Sequence, residues 1–225
     1  MKKFFILIIV LFSSNVLAHM EHYNKYNKIE MDIFRNGELI GYNYYFFTRK
    51  GNETTVTNQI NFSVKVFGAT IFQVEGYGEE KYLKDQLISY DSKTLQNDKE
   101  KFVNLVFDKD KNKFNIKGSS YSGEASINNI IGNWWRHKIL HTDSQICPIS
   151  GSIKEQVVIF VGKEKIQQYG QTYEVDHFKL NSKDMSLPKD KRLDFNIWLD
   201  KKNSMIIRVS YSRMGNWEYR LKNFK

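Results

Sequence analysis

Cysteine is nearly missing from this chain: its 225 residues include one, Cys147. A single thiol closes no internal disulfide, so the fold must be held by burial, with Cys147 either inert inside it or paired with a thiol on another molecule. Long apolar runs are missing too. The longest, residues 4–12, falls short of the roughly 20 residues a helical membrane span requires. No G-x-S-x-G elbow surrounds Ser144, Ser150 or Ser152, and no glycine-rich phosphate loop occurs. A basic stripe is also lacking. The formal charge is +9, but the lysines alternate with acids, as in Asp108-Lys109-Asp110-Lys111, which excludes the one-faced footprint of a nucleic-acid binder. Weak attraction to anionic lipid headgroups is the role left to that excess.

What is present begins with an export signal. Lys2 and Lys3, the apolar run, and Val16-Leu17-Ala18 form a basic region, a hydrophobic core and a small-residue cleavage site. Residues 1–18 therefore read as a signal peptide cut after Ala18, and residues 19–225 as a single β-rich domain, periplasmic or secreted. Cys147 lies too far from that cut to carry a lipid anchor.

The organising stretch is 53–67, ETTVTNQINFSVKVF. Val56, Ile60, Phe62, Val64 and Val66 share one parity and polar residues the other, with Asn58 alone interrupting the apolar file; period two over this length is a strand with one dry face. The pattern recurs along the chain. Asn36-Gly37 suits a type I′ hairpin turn, 42–47 is aromatic on both parities, and Gly76 and Gly78 suggest a bulge in 70–82. Further strands are expected at 87–95, 101–107, 114–117, 153–161, 165–169, 173–180, 193–199, 205–211 and 217–221. A parity change within 173–180 predicts a bulge near Asp176 or His177. Residues 118–151 break the rhythm, with Ser126 placed to cap a short apolar helix running to Trp135. The expected fold is all-β: an antiparallel meander of roughly 11 to 13 strands rolled into an open or closed barrel with one short helix or loop insert. A barrel of that size needs a plug, a second layer or a ligand inside, unless the strands instead form a self-filling sandwich.

At Phe34-Arg35-Asn36-Gly37-Glu38-Leu39-Ile40-Gly41 the sequence resembles a family of exported bacterial proteins known as a domain of unknown function. The resemblance continues through Val64-Lys65-Val66, Lys84-Asp85-Gln86-Leu87, Ser92-Lys93-Thr94, Asn133-Trp134, Ile197-Trp198-Leu199-Asp200 and Gly215-Asn216-Trp217-Glu218-Tyr219-Arg220-Leu221. The family's W-Y-D is Trp198-Leu199-Asp200 here. The resemblance implies a periplasmic β-rich protein and brings no catalytic residues. A distant similarity in style to the open-barrel lipoprotein carriers of the bacterial envelope adds lipid handling by analogy.

Two residue sets stand out. Trp134, Trp135, Trp198, Trp217 and Tyr44 are candidates to line a ligand pocket, although aromatics more often pack a core. His137 and His141, four apart on a helix, with Asp143 following, are candidates for a metal site, against the plainer role of loop residues over the sheet. Cys147 beside either histidine would make a nucleophile and base, and His19 with His22 would offer a free amine and imidazoles to copper. The expected function is binding of an apolar or lipid-like ligand by an exported, cofactor-free and non-enzymatic protein. The alternatives are an envelope assembly factor that presents a sheet edge or aromatic patch to another protein, and a metal-dependent hydrolase.

Overall fold

The computed structural model describes residues 23–225; the expected signal peptide, its cut after Ala18, and His19 and His22 lie outside the described residues. Fifteen strands follow one another: β1 (Lys28–Arg35), β2 (Glu38–Lys50), β3 (Glu53–Val66), β4 (Ala69–Leu83), β5 (Gln86–Gln96), β6 (Lys99–Asp108), β7 (Lys113–Gly118), β8 (Ser122–Ser126), β9 (Ile130–Ile131), β10 (Ser144–Ile146), β11 (Ile153–Gln168), β12 (Gln171–Ser182), β13 (Asp194–Asp200), β14 (Met205–Ser212) and β15 (Asn216–Phe224). They form one sheet in the order β8-β7-β6-β5-β4-β3-β2-β1-β15-β14-β13-β12-β11-β10-β9. The two ends of the chain therefore pair in mid-sheet, with Ile33 opposite Tyr219. The sheet's two edges, β8 and β9, are separated by residues 127–129 alone, which puts them side by side. All ladders are antiparallel except β9 with β10. The result is a rolled sheet that stops short of closure, with an inward file from nearly every strand meeting in one core.

The long strand behaves as its alternation demands. Val56, Phe62 and Val64 are buried, and Asn58 keeps its place in the inward file by donating to Asn43 Oδ1 and to the Tyr44 carbonyl. Asn36 and Gly37 both take positive φ (51° and 83°), as the two-residue turn requires. That turn is locked to one far away in sequence: Asn216 N donates to Asn36 Oδ1 at 2.8 Å and Asn36 N to the Asn216 carbonyl at 2.7 Å. The first and last motifs of the family resemblance thus meet at the far end of the ladder between the first and last strands.

Several expectations are corrected. Gly76 and Gly78 cause no register shift in β4; they leave inward space that Ile60, Thr94 and Tyr90 occupy. Gly162 does not separate two strands. It lies within β11, where Val161 is the extra residue of a bulge opposite Phe178 and His177, so the irregularity is on β11 and not on β12. The parity change of β12 has another cause. Its Leu180 end faces the interior, while beyond the bulge the β11–β12 ribbon folds back over the outer face of the roll, burying Ile166 and Val175 there. Tyr169, at the ribbon tip, donates to Asp32 on β1, and Gln168 Nε2 reaches the carbonyls of Ile207 and Leu221. This second layer explains why Ile206 and Ile207, on opposite faces of β14, are both buried.

The insert contains no α-helix from Ser126. Ser126 Oγ accepts from Asn128 N and closes a turn, and β9 follows, because two asparagines and two β-branched isoleucines favour turn and strand over helix. The strand total exceeds the expected range because β8, β9 and β10 arise in this stretch.

Candidate functional site

The insert enters the roll and is held by buried polar groups. Glu80 shares the inward parity of Val74 and Tyr82 on β4 and is 2% exposed. Its Oε1 accepts from Asn133 Nδ2 at 2.6 Å and Trp135 Nε1 at 2.9 Å, and its Oε2 accepts from the Tyr82 hydroxyl. Burial pushes the Glu80 carboxyl above the usual range, outweighing those hydrogen bonds and the nearby Arg136 guanidinium. Arg136, also buried, lies over the Tyr82 and Trp135 rings and 3.7 Å from Asp85. Next to this group, the Tyr45 hydroxyl accepts from Trp134 N at 3.2 Å and Asn43 Nδ2 at 2.9 Å. Tyr90 and Ser92 both donate to the Pro148 carbonyl, and Gln156 Nε2 caps the carbonyls of Ile139 and Thr142. With Trp135, Ile139 and Ile146 fully buried, the insert is the plug a roll of this width needs.

Above the plug, aromatic rings touch in a chain that crosses the interior. Trp134 meets Phe195 and Tyr219, Phe195 meets Tyr211, Tyr211 stacks on Trp217, and Trp217 meets Phe62, which leads to Phe72; the centroid distances run from 5.0 to 6.3 Å. Trp134, Phe195, Tyr211 and Phe72 stay partly exposed while packing against the core. Burial raises the Tyr219 hydroxyl pKa to about 12 and pushes that of Tyr211 up as well, so both phenols of the wall are neutral at neutral pH. This wall lies toward the end of the roll that carries the Asn36-Gly37 and Met214-Gly215 turns. Two open grooves lie elsewhere; the larger of them, about 760 Å³, runs between the β11–β12 ribbon and the β13–β14 turn and is lined by charged groups such as Lys163, Glu174, Asp176 and Lys201.

The expected aromatic set is divided by the sheet. Trp134, Trp135 and Trp217 are inside, Trp135 as plug anchor and the other two in the wall. Trp198 is outside, stacked on His177 at 4.6 Å and donating to Glu164 under the ribbon. Tyr44 is also outside, stacked on Tyr42 with the Lys28 ammonium over it. The metal set does not converge. His137 and His141 begin and end a 3₁₀ turn and their rings meet edge to face at 6.2 Å between centroids, but no third ligand among the described residues joins them. His137 Nδ1 is engaged by the Tyr23 hydroxyl at 2.7 Å, and Asp143 is exposed, offering its carbonyl to Gln156 N. Among the described residues no group of three or more His, Cys, Asp or Glu is arranged to hold a metal ion. Cys147 is half-buried.

Residues 31–222 match the model of a domain of unknown function, DUF6134. The chain belongs to this family. The match takes in both joined turns, Glu80, the plug and the whole aromatic wall, so the DUF6134 domain is the entire roll. In fold it is similar to the crystal structure of a beta-barrel-like protein of domain of unknown function DUF1849 from Brucella abortus, with a TM-score of 0.59 over 88% of this chain and 96% of that one at 10% identity. At that identity the likeness is one of fold alone. Among curated proteins, none matches. Several residues on which the sequence resemblance rests serve to join elements. Asp200 caps the β13–β14 turn through Lys202 N and Asn203 Nδ2, Asn133 and Ser92 hold the plug, and Gly41 lies so close to the Asn61 carbonyl and Phe62 that no side chain fits.

Glu80, Asn43, Phe195, Tyr211 and Tyr219 were not among the expected site residues. Glu80 carried a signal, a carboxylate on the dry parity of its strand, of the same kind that Asn58 gave on β3. For Phe195 and Tyr211 alternation indicates only an inward position.

Proposed function

We propose that the DUF6134 domain is a non-enzymatic, exported binding protein that takes an apolar or lipid-like ligand against the aromatic wall. The observation that carries this is the unbroken row of touching rings from Trp134 through Phe195, Tyr211 and Trp217 to Phe62 and Phe72, in which Trp217 and Phe62 are buried and Trp134, Phe195, Tyr211 and Phe72 keep part of their surface exposed. Such a row offers a large rigid apolar area at low entropic cost. The plug beneath it, pinned by Glu80, gives the wall a fixed floor. The test is organic extraction of the purified protein with mass spectrometry of the extract, alongside titration with a fluorescent fatty acid. Trp134→Ala and Phe195→Ala are expected to weaken probe binding about tenfold each; absence of both co-purified lipid and probe binding would sink the proposal. Export is tested by intact mass of the periplasmic or secreted chain, expected to begin at His19.

A second function, presentation of a sheet edge to another envelope protein, is favoured by β11. Strand β10 covers it only from Ile153 to Glu155, leaving the edge beyond without a ladder on that side among the described residues, next to the exposed Val157, Ile159, Phe160 and Val161.

A further inference from the structure

At the end of the roll nearest the aromatic wall, hairpin turns hold Asn36, Phe67, Asn97 and Met214 in the left-handed region, at φ of 51°, 50°, 51° and 51°. Asparagine tolerates that conformation because its short side chain bonds locally; phenylalanine and methionine do not share this advantage. Nor do these two contribute to the core, since Phe67 is 105% exposed and Met214 86%. Two large apolar side chains thus occupy turn positions where folding gains nothing from them.

Their setting points outward. The last rungs joining the β3–β4 hairpin to its neighbours are Phe62 with Gly41 and Val74 with Gln96. Among the described residues, 63–72 form ladder rungs only with each other, and Phe67 lies five residues beyond the last rung with β2 at the tip of that hairpin. Val66 and Ile71, on the flanks of that finger, are exposed as well. The strand order sets the Met214 turn on the same rim, one turn further round past Asn36-Gly37. Each tip has a cation close behind it in sequence, exposed Lys65 before Phe67 and exposed Arg213 before Met214. Arg213 Nη2 also bonds the Arg192 carbonyl, tying this turn to the β12–β13 loop with its exposed Lys189 and Lys191.

Separate apolar tips backed by cations suit a fluid, negatively charged layer. A protein partner would need a matching pit for each tip, whereas a headgroup layer yields to both and places phosphates beside the cations. We propose that this rim docks on an anionic phospholipid surface, with Phe67 and Met214 inserted at the headgroup boundary and Lys65 and Arg213 against phosphates.

Docking stands apart from ligand capture at the wall, and the two fail separately, because the fatty-acid titration uses no vesicles. The test is co-sedimentation of the full purified protein with vesicles of phosphatidylglycerol and phosphatidylcholine, or of phosphatidylcholine alone. The expected result is binding to the anionic vesicles that weakens with salt and falls at least about tenfold in the double variant Phe67→Asn, Met214→Asn. Because Asn36 and Asn97 already fill the equivalent turn positions, that variant should unfold at the same or a higher temperature. Lys65→Gln with Arg213→Gln should remove the preference for anionic vesicles. A wild-type protein that stays in the supernatant with both vesicle types, or a double variant that binds unchanged, overturns the proposal. So does a vesicle-free dimer abolished by Phe67→Asn, which would assign the rim to a second copy of the chain.

Discussion

Glu80 is fully inside the roll, with Asn133, Trp135 and Tyr82 donating to its two oxygens. Burial raises its pKa above the ordinary 4.5, so in the pH interval between the ordinary and the raised value the folded protein holds a proton that the unfolded chain has released. The stability linked to this group is complete below the ordinary carboxylate pKa and is lost as pH rises through the raised folded value. Glu80→Gln keeps an acceptor for Asn133 and Trp135 and fixes the neutral form. Urea unfolding is expected to give equal midpoints for wild type and Glu80→Gln near pH 4, and a higher midpoint for the variant at pH 8. Glu80→Ala leaves three buried donors without their acceptor and should cost about 3 kcal/mol near pH 4, and less at pH 8, where the wild type has given up part of that stability. The role of Glu80 was only half legible in the sequence. Alternation placed it inward, but Asn133 and Trp135 stand more than fifty residues away, and nothing in periodicity predicts which distant donors meet a carboxylate.

Among the elements, hairpin turns were the most legible. Asn36-Gly37 formed as its φ tolerance requires. The bond from Asn216 N to Asn36 Oδ1 was not foreseeable, because it depends on β1 pairing with β15. Asn36→Ala loses both the tolerance for positive φ and that acceptor, and should lower stability by about 2 kcal/mol in chemical denaturation. The insert was the least legible element. Its apolar residues suit a short helix as well as a buried strand, and the contest was settled by the ladder that β10 offers to β9. On the β11 edge, Ile159→Lys places a charge on an exposed apolar strip and should reduce concentration-dependent self-association, measured by light scattering, without shifting the unfolding midpoint.

For the whole molecule, the consequential feature is where the sheet is sealed and where it is not. Asn27 N and Lys28 N both donate to the Lys225 carbonyl, so the described chain ends adjoin. A circular permutant that links residue 225 to residue 23 and opens at the exposed turn 109–112 should fold with near-native circular dichroism and keep probe binding. By contrast, cutting within 136–142 detaches part of the plug and should leave the wall without its floor, abolishing probe binding even if the strands persist.

Alternation along single strands was enough to establish an all-β chain, the inward file of each long strand and the tight turns, because side-chain direction in a strand is a local property with period two. It also indicated that so many strands would need an internal filler. Only the tertiary structure decided what the filler is, that the ribbon of β11 and β12 doubles back outside, and that Trp134 and Trp217 share a wall while Trp198 and Tyr44 lie on the other side of the sheet. Those outcomes depend on which strands become neighbours and on curvature accumulated over the sheet, and both are set by contacts between residues far apart in the chain.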